Sequence, residues 1–243
     1  MNWKLFFLLL FISVGSFAQV QRKTSYNDLV WFGDFSKGVL NEKWSVYFDV
    51  GLRRSEWLNK WSQTLIRPGL TFHLNKDVSI TAGAAYFNHY AESCVRPEYR
   101  GWEQLLFTKS FGRFLISHRL RAEQRFNRVV EANEVLDEFK YNNRYRYQLG
   151  LQLALNKSVI EDRTVYLSFA DEIMLNSGRE IAYNYFDQNR LSIGLGYKWT
   201  DLFNLTVSYM NVFIHKSQPA TYEKNNVLVI NVYHKFNLVR KQG

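Results

Sequence analysis

Residues 114–126, FLISHRLRAEQRF, and residues 144–153, RYRYQLGLQL, decide the fold. In the first stretch Phe114, Ile116 and Leu120 share one parity, and Ser117, Arg119, Arg121, Glu123 and Arg125 share the other. In the second, Tyr145, Tyr147, Leu149, Leu151 and Leu153 alternate with Arg144, Arg146, Gln148, Gly150 and Gln152. Successive side chains of a strand point to opposite faces, so period two reads as β-structure with one apolar and one polar face.

The alternation spreads outward from there. It recurs at Trp44–Arg53, Ile66–Leu74, Leu191–Lys198, Leu205–Tyr209 and Leu228–Val232, with less regular segments at Leu29–Lys37, Val78–Phe87, Tyr99–Lys109 and Val165–Leu175. These and the two opening stretches make eleven segments. Connections read as short near Gly38–Lys43, Asn75–Asp77, Ser110–Arg113, Asn156–Arg163 and Thr200–Phe203. They read as long near Ser55–Lys60, His89–Glu98, Asn127–Glu138, Asn176–Asn184 and Lys216–Lys224. Outer-membrane barrels sort their loops in this way, short on one side and long on the other. The expected fold is therefore all-β: an antiparallel up-and-down transmembrane β-barrel of 10–12 strands. Twelve is favoured because single-chain bacterial barrels have even strand numbers, and Gln19–Asp28 is the candidate for the missing strand. Pro68-Gly69 is expected to mark a bulge or bend, since proline cannot donate to a ladder.

The N-terminus has a separate reading. Lys4, an apolar run from Leu5 to Val14 broken only by Ser13, and the small residues Gly15, Ser16 and Ala18 predict a secretory signal over 1–18, cleaved before Gln19. Ten apolar residues are too few to span a bilayer as a helix, and no later run reaches 18. With no linker-like tract, residues 19–243 read as one domain, exported through the periplasm to a bacterial outer membrane. The chain is 47% hydrophobic with a mean hydropathy of −0.30, as expected when lipid-facing and lumen-facing residues dilute each other. Aromatic residues, at 17%, suit strands and interfacial girdles, and Trp57, Trp61, Trp102 and Trp199 fall near segment ends. The net charge of +9 does not imply nucleic acid, because the arginines are spread at period two rather than clustered. Cys94 is the only cysteine, so no internal disulfide forms.

Candidate chemistry lies on the charged parity. Arg119, Arg121, Glu123, Arg125, Arg144, Arg146, Glu172, Gln188, Arg190, Asp49, Arg53 and Arg67 are expected to meet in a narrow lumen as a polar network. The plain reading is a structural plug. The sharper one is an arginine constriction that attracts small anionic solutes. Lipid of the outer membrane is the other expected partner. No catalytic constellation is apparent: Ser117 and His118 face opposite sides of a strand, and His89 and His215 lie near loop ends without a recognisable partner. A lipid hydrolase using His118, which sits on the lipid-facing parity, is the enzymatic alternative; a soluble periplasmic lipid-binding barrel is another. No metal-ligand spacing and no phosphate loop appear, so no cofactor is expected.

Several stretches also resemble a known family: QTLIRPGL at 63–70, RPEYRGWEQL at 96–105, HRLRAEQRF at 118–126, NRYRY at 143–147 and FDQNRLSIGLGY at 186–197. Together they are similar to DUF2490 proteins, over nearly all of the chain beyond the signal. The resemblance implies a secreted outer-membrane β-barrel of the kind common in Bacteroidetes, and supplies no reaction, ligand or catalytic residue. Cys94 is a departure from that pattern.

Overall fold

Each alternating segment becomes a long strand, and each connection is a reversal. The computed structural model describes residues 22–238 apart from residue 92; the signal over 1–18 lies outside the described residues. Eleven strands follow in order: β1 (Lys23–Val39), β2 (Trp44–Ser55), β3 (Lys60–His73), β4 (Val78–Tyr90), β5 (Val95–Phe111), β6 (Phe114–Glu131), β7 (Glu134–Ala154), β8 (Thr164–Ser177), β9 (Phe186–Thr200), β10 (Phe203–His215) and β11 (Thr221–Asn237). They close into a single barrel in which chain neighbours pair antiparallel and β1 pairs with β11 in parallel.

Eleven strands lie within the expected range, but the favoured twelve and the wholly antiparallel wall are corrected. Ten successive reversals leave the first and last strands running the same way, so closure requires one parallel pair. Residues 23–28, expected to belong to a separate strand, are the beginning of β1. The seam keeps one register from Lys23↔Thr221 to Val39↔Asn237.

The loop sorting is also corrected. The connection expected to be long at Asn127–Glu138 is a tight turn at Ala132 and Asn133, with φ of 49° and 69°. Positive φ at both central residues matches the twist of a two-residue hairpin. Polar residues such as Asn127 and Arg128 simply continue the ladder, because backbone hydrogen bonds need no apolar side chains. Conversely, residues 155–163, expected to be short, span more chain than residues 178–185 on the opposite side.

Exposure identifies the two faces. Leu120 is 51% exposed and Leu195 54%, whereas Glu98 is fully buried and Glu123 is 1% exposed. Apolar side chains therefore point out and charge points in, the reverse of what a soluble lipid-binding barrel needs. Trp44, Trp57, Trp61 and Trp199 are exposed, but Trp102 is buried. It is no girdle residue: it lies inside against Tyr47, and its Nε1 donates to the Ala84 carbonyl at 3.1 Å. The cross-strand pair Gly69↔Gly83 gives it room, since a Cβ on Gly69 would come within 2.9 Å of the indole. A Cβ on Gly83 would come within 2.2 Å of the Pro68 carbonyl oxygen. Pro68 makes no bulge: Ile66↔Tyr86 and Gly69↔Gly83 share one register, and only the intervening pairs are missing.

Candidate functional site

The lumen is the candidate site, and its charge comes from the inward parity of β2–β9. Glu123 is the node. Its Oε1 accepts from Arg146 Nη1 at 2.7 Å and its Oε2 from Arg100 Nη1 at 2.9 Å. Arg146 also grips Glu172 with Nε and Nη2, both at 2.9 Å, and Arg100 grips Glu98 in the same two-pronged way at 2.8 and 3.0 Å. Such fork-to-carboxylate pairs satisfy both charge and direction. Arg125 donates to Glu98 at 2.5 Å, and Arg119 donates to Glu172 at 2.7 Å. Glu98 further contacts His89, which contacts Gln63, at 2.7 and 2.9 Å. One chain of polar contacts thus runs from strand to strand along the inner wall from β3 to β8.

The remaining arginines sit at its edges. Arg67 pairs with Asp49, which also accepts from Tyr47 at 2.7 Å. Arg144 meets Asp187 at 2.6 Å. Arg121 donates to Gln104 at 2.6 and 3.1 Å and lies 4.6 Å over the Trp102 ring, with its Nη1 left without an acceptor. Arg190 donates to Gln188 at 3.0 Å and lies 3.9 Å from Glu172. Arg53 has no hydrogen bond or ion pair among the described residues; its guanidinium lies 3.9 Å over the Trp31 ring. The twelve residues singled out from the sequence therefore share the lumen. Their hydrogen bonds fall into several groups around the Glu123 node, and Arg53 stands outside all of them.

The opposite wall carries an apolar patch. Leu29, Val212, Val227 and Val229 are buried together, with Trp31, Met210 and Ile214 packed against them, all from β10, β11 and β1. A cavity of about 900 Å³ lies between this wall and the arginines.

A model of the DUF2490 family, described as a protein of unknown function, matches residues 29–223. The chain belongs to that family. No curated protein and no solved structure matches it. In this DUF2490 chain the matched span runs from the first strand's inward Leu29 to the start of β11, so it takes in the whole charged network.

Several residues of the DUF2490 lumen escape sequence reasoning. Glu98 and Arg100 lie in a stretch assigned partly to a loop, although they share parity with Trp102 and Gln104. Asp187 escapes for a different reason. The β8–β9 register shifts between Met174↔Gln188 and Leu175↔Phe186, leaving Asp187 as the extra residue of a bulge. Adjacent Asp187 and Gln188 are then both buried, which strict alternation forbids. His89 is corrected too: far from lacking partners, it bridges Gln63 and Glu98. His215 stacks on Tyr222 at 4.8 Å.

The hydrolase alternative has little to build on at His118. Its Nδ1 is 2.8 Å from the Tyr147 hydroxyl on the outer face, and its ring stacks with that of Tyr147. A cross-strand phenol satisfies an imidazole that the sequence leaves stranded among apolar residues. Nearer the mouth where β2 begins, Ser45 Oγ lies 3.0 Å from His73 Nε2 inside the barrel. No carboxylate holds the other ring nitrogen of His73 among the described residues, so the orienting third group of a serine triad is missing there.

Proposed function

We propose that this protein is an outer-membrane β-barrel whose lumen is plugged by its own arginine–carboxylate network, and that its role is passive: a structural barrel or a very narrow pore. The observation that carries this reading is Glu123, buried at the centre and bonded from both sides by arginines of neighbouring strands. Such a node ties three adjacent strands along the inner wall and fills part of the lumen with paired charge. An apolar outer face supports placement in lipid, because a β-structure can cross a bilayer only as a closed ring with every backbone group paired. Exposed Trp44, Trp61 and Trp199 suit the membrane–water boundary. The N-terminal sequence, read as a secretion signal, supports export.

Planar-bilayer recording of the refolded protein tests this. The expected outcome is a silent membrane or only very small steps. The Glu123→Ala, Arg146→Ala double variant should give larger steps wherever it still runs as a heat-resistant folded band. Large, steady conductance from the unaltered protein would sink the plug.

A further inference from the structure

Arg53 is the anomaly of the lumen. Every other arginine of the network donates to a carboxylate or an amide oxygen. Arg53 instead rests only on the Trp31 ring, and Arg190 approaches the same ring at 5.1 Å. The wall explains the meeting: Trp31 pairs with Arg53 on one side and Val229 on the other, while Arg190 stands opposite Val212 across β9 and β10. Two guanidiniums thus gather beside an indole whose own Nε1 is buried without an acceptor. A guanidinium carries five donors, and those of half-buried Arg53 meet no protein acceptor among the described residues, which leaves them open to the cavity. The lumen's carboxylates are already engaged by other cationic side chains, Glu223 and Asp201 by lysines and the rest by arginines. Next to this cationic corner lies the apolar patch of Leu29, Val212 and Val229, and the cavity is lined by both. Its roughly 900 Å³ suits a small organic molecule.

We propose that the cavity binds an amphipathic organic anion, its carboxylate or other acidic head held by Arg53 and Arg190 beside Trp31 and its apolar body laid on the β10–β11–β1 wall. The proposal rests on the barrel reading of the lumen and does not need the lumen to be shut, since the cavity's lining runs from Gln63 and Glu223 near one rim to Thr200 and Phe203 near the other. The two can fail separately, since a protein that conducts freely and still binds would overturn only the plug.

The test uses the folded full barrel in a maltoside detergent and isothermal calorimetry with four probes: 4-phenylbutyrate, decanoate, neutral 4-phenylbutanol and inorganic phosphate. The expected result is saturable binding of at least one of the two carboxylates that weakens with added salt, with neither the alcohol nor phosphate binding comparably. Phenylbutyrate alone would indicate a compact solute, and decanoate alone an acyl chain from the surrounding lipid; both outcomes support the site. Arg53→Gln should weaken binding at least tenfold, the scale of one lost charge-assisted contact. Arg128→Gln, at the outer end of the β6–β7 hairpin, should leave it unchanged. If Arg53→Gln loses its heat-resistant band, Arg53→Lys replaces it, with affinity falling while salt dependence remains. Equal binding of the alcohol would reduce the site to apolar partition, equal binding of phosphate to a bare anion site, and a folded barrel that binds no carboxylate would end the proposal.

Discussion

At the scale of single residues, Glu123 bears the most. Both of its oxygens are taken by arginines and it is almost wholly shielded. Removing one partner of a buried ion pair leaves the other charge uncompensated, at a cost of about 3–5 kcal/mol. Glu123→Gln should therefore lower the urea midpoint of the folded barrel by a corresponding amount. An unchanged midpoint would mean that Arg100 and Arg146 are satisfied by Glu98 and Glu172 alone. Much of this neighbourhood is legible in the sequence, because Arg119, Arg121, Glu123 and Arg125 keep one parity through a regular strand. Parity alone does not say which face is inside; exposure of Leu120 and its like does. Asp187 was illegible for a physical reason, since a bulge swaps the face of a residue without leaving a mark in composition. Arg53 was legible as a lumen residue, but its isolation from acceptors depends on how distant strands are staggered.

At the scale of elements, the β6–β7 hairpin shows where alternation stops being informative. Its outer part, beyond Asn127, mixes polar and apolar residues without regular alternation, and the register shifts between Arg128↔Phe139 and Val130↔Val135, yet the ladder resumes to reach the turn. The turn itself is imperfect. Asn133 tolerates a left-handed backbone, but Ala132 holds φ at 49° with a Cβ in the way. Ala132→Gly should relieve about 1 kcal/mol of that strain. The measurable result is slower proteolysis at the hairpin tip; faster cleavage would show that flexibility gained by glycine outweighs the relief. The strand centres were legible throughout and the strand ends were not, because ladder ends are set by neighbours' hydrogen bonds and not by the polarity that marks the middle.

At the scale of the whole molecule, the sequence shows eleven segments plainly, and the expectation of twelve came from a general rule about even barrels and not from these residues. The odd count has a geometric outcome at the seam. Because β1 and β11 run side by side in the same direction for 17 residues, the start of one and the finish of the other are separated by the length of a strand, about 55 Å at 3.3 Å per residue along it. Even-numbered barrels bring both extremities to the same rim. In the membrane placement proposed above, the start of β1 and the finish of β11 would face opposite compartments. Epitope tags joined before Lys23 and after Asn237 should accordingly answer differently to a protease added outside intact cells, one being trimmed and the other spared. Equal trimming of both would show that the seam is not closed in parallel, and the chain would then have to be redrawn as an even ring.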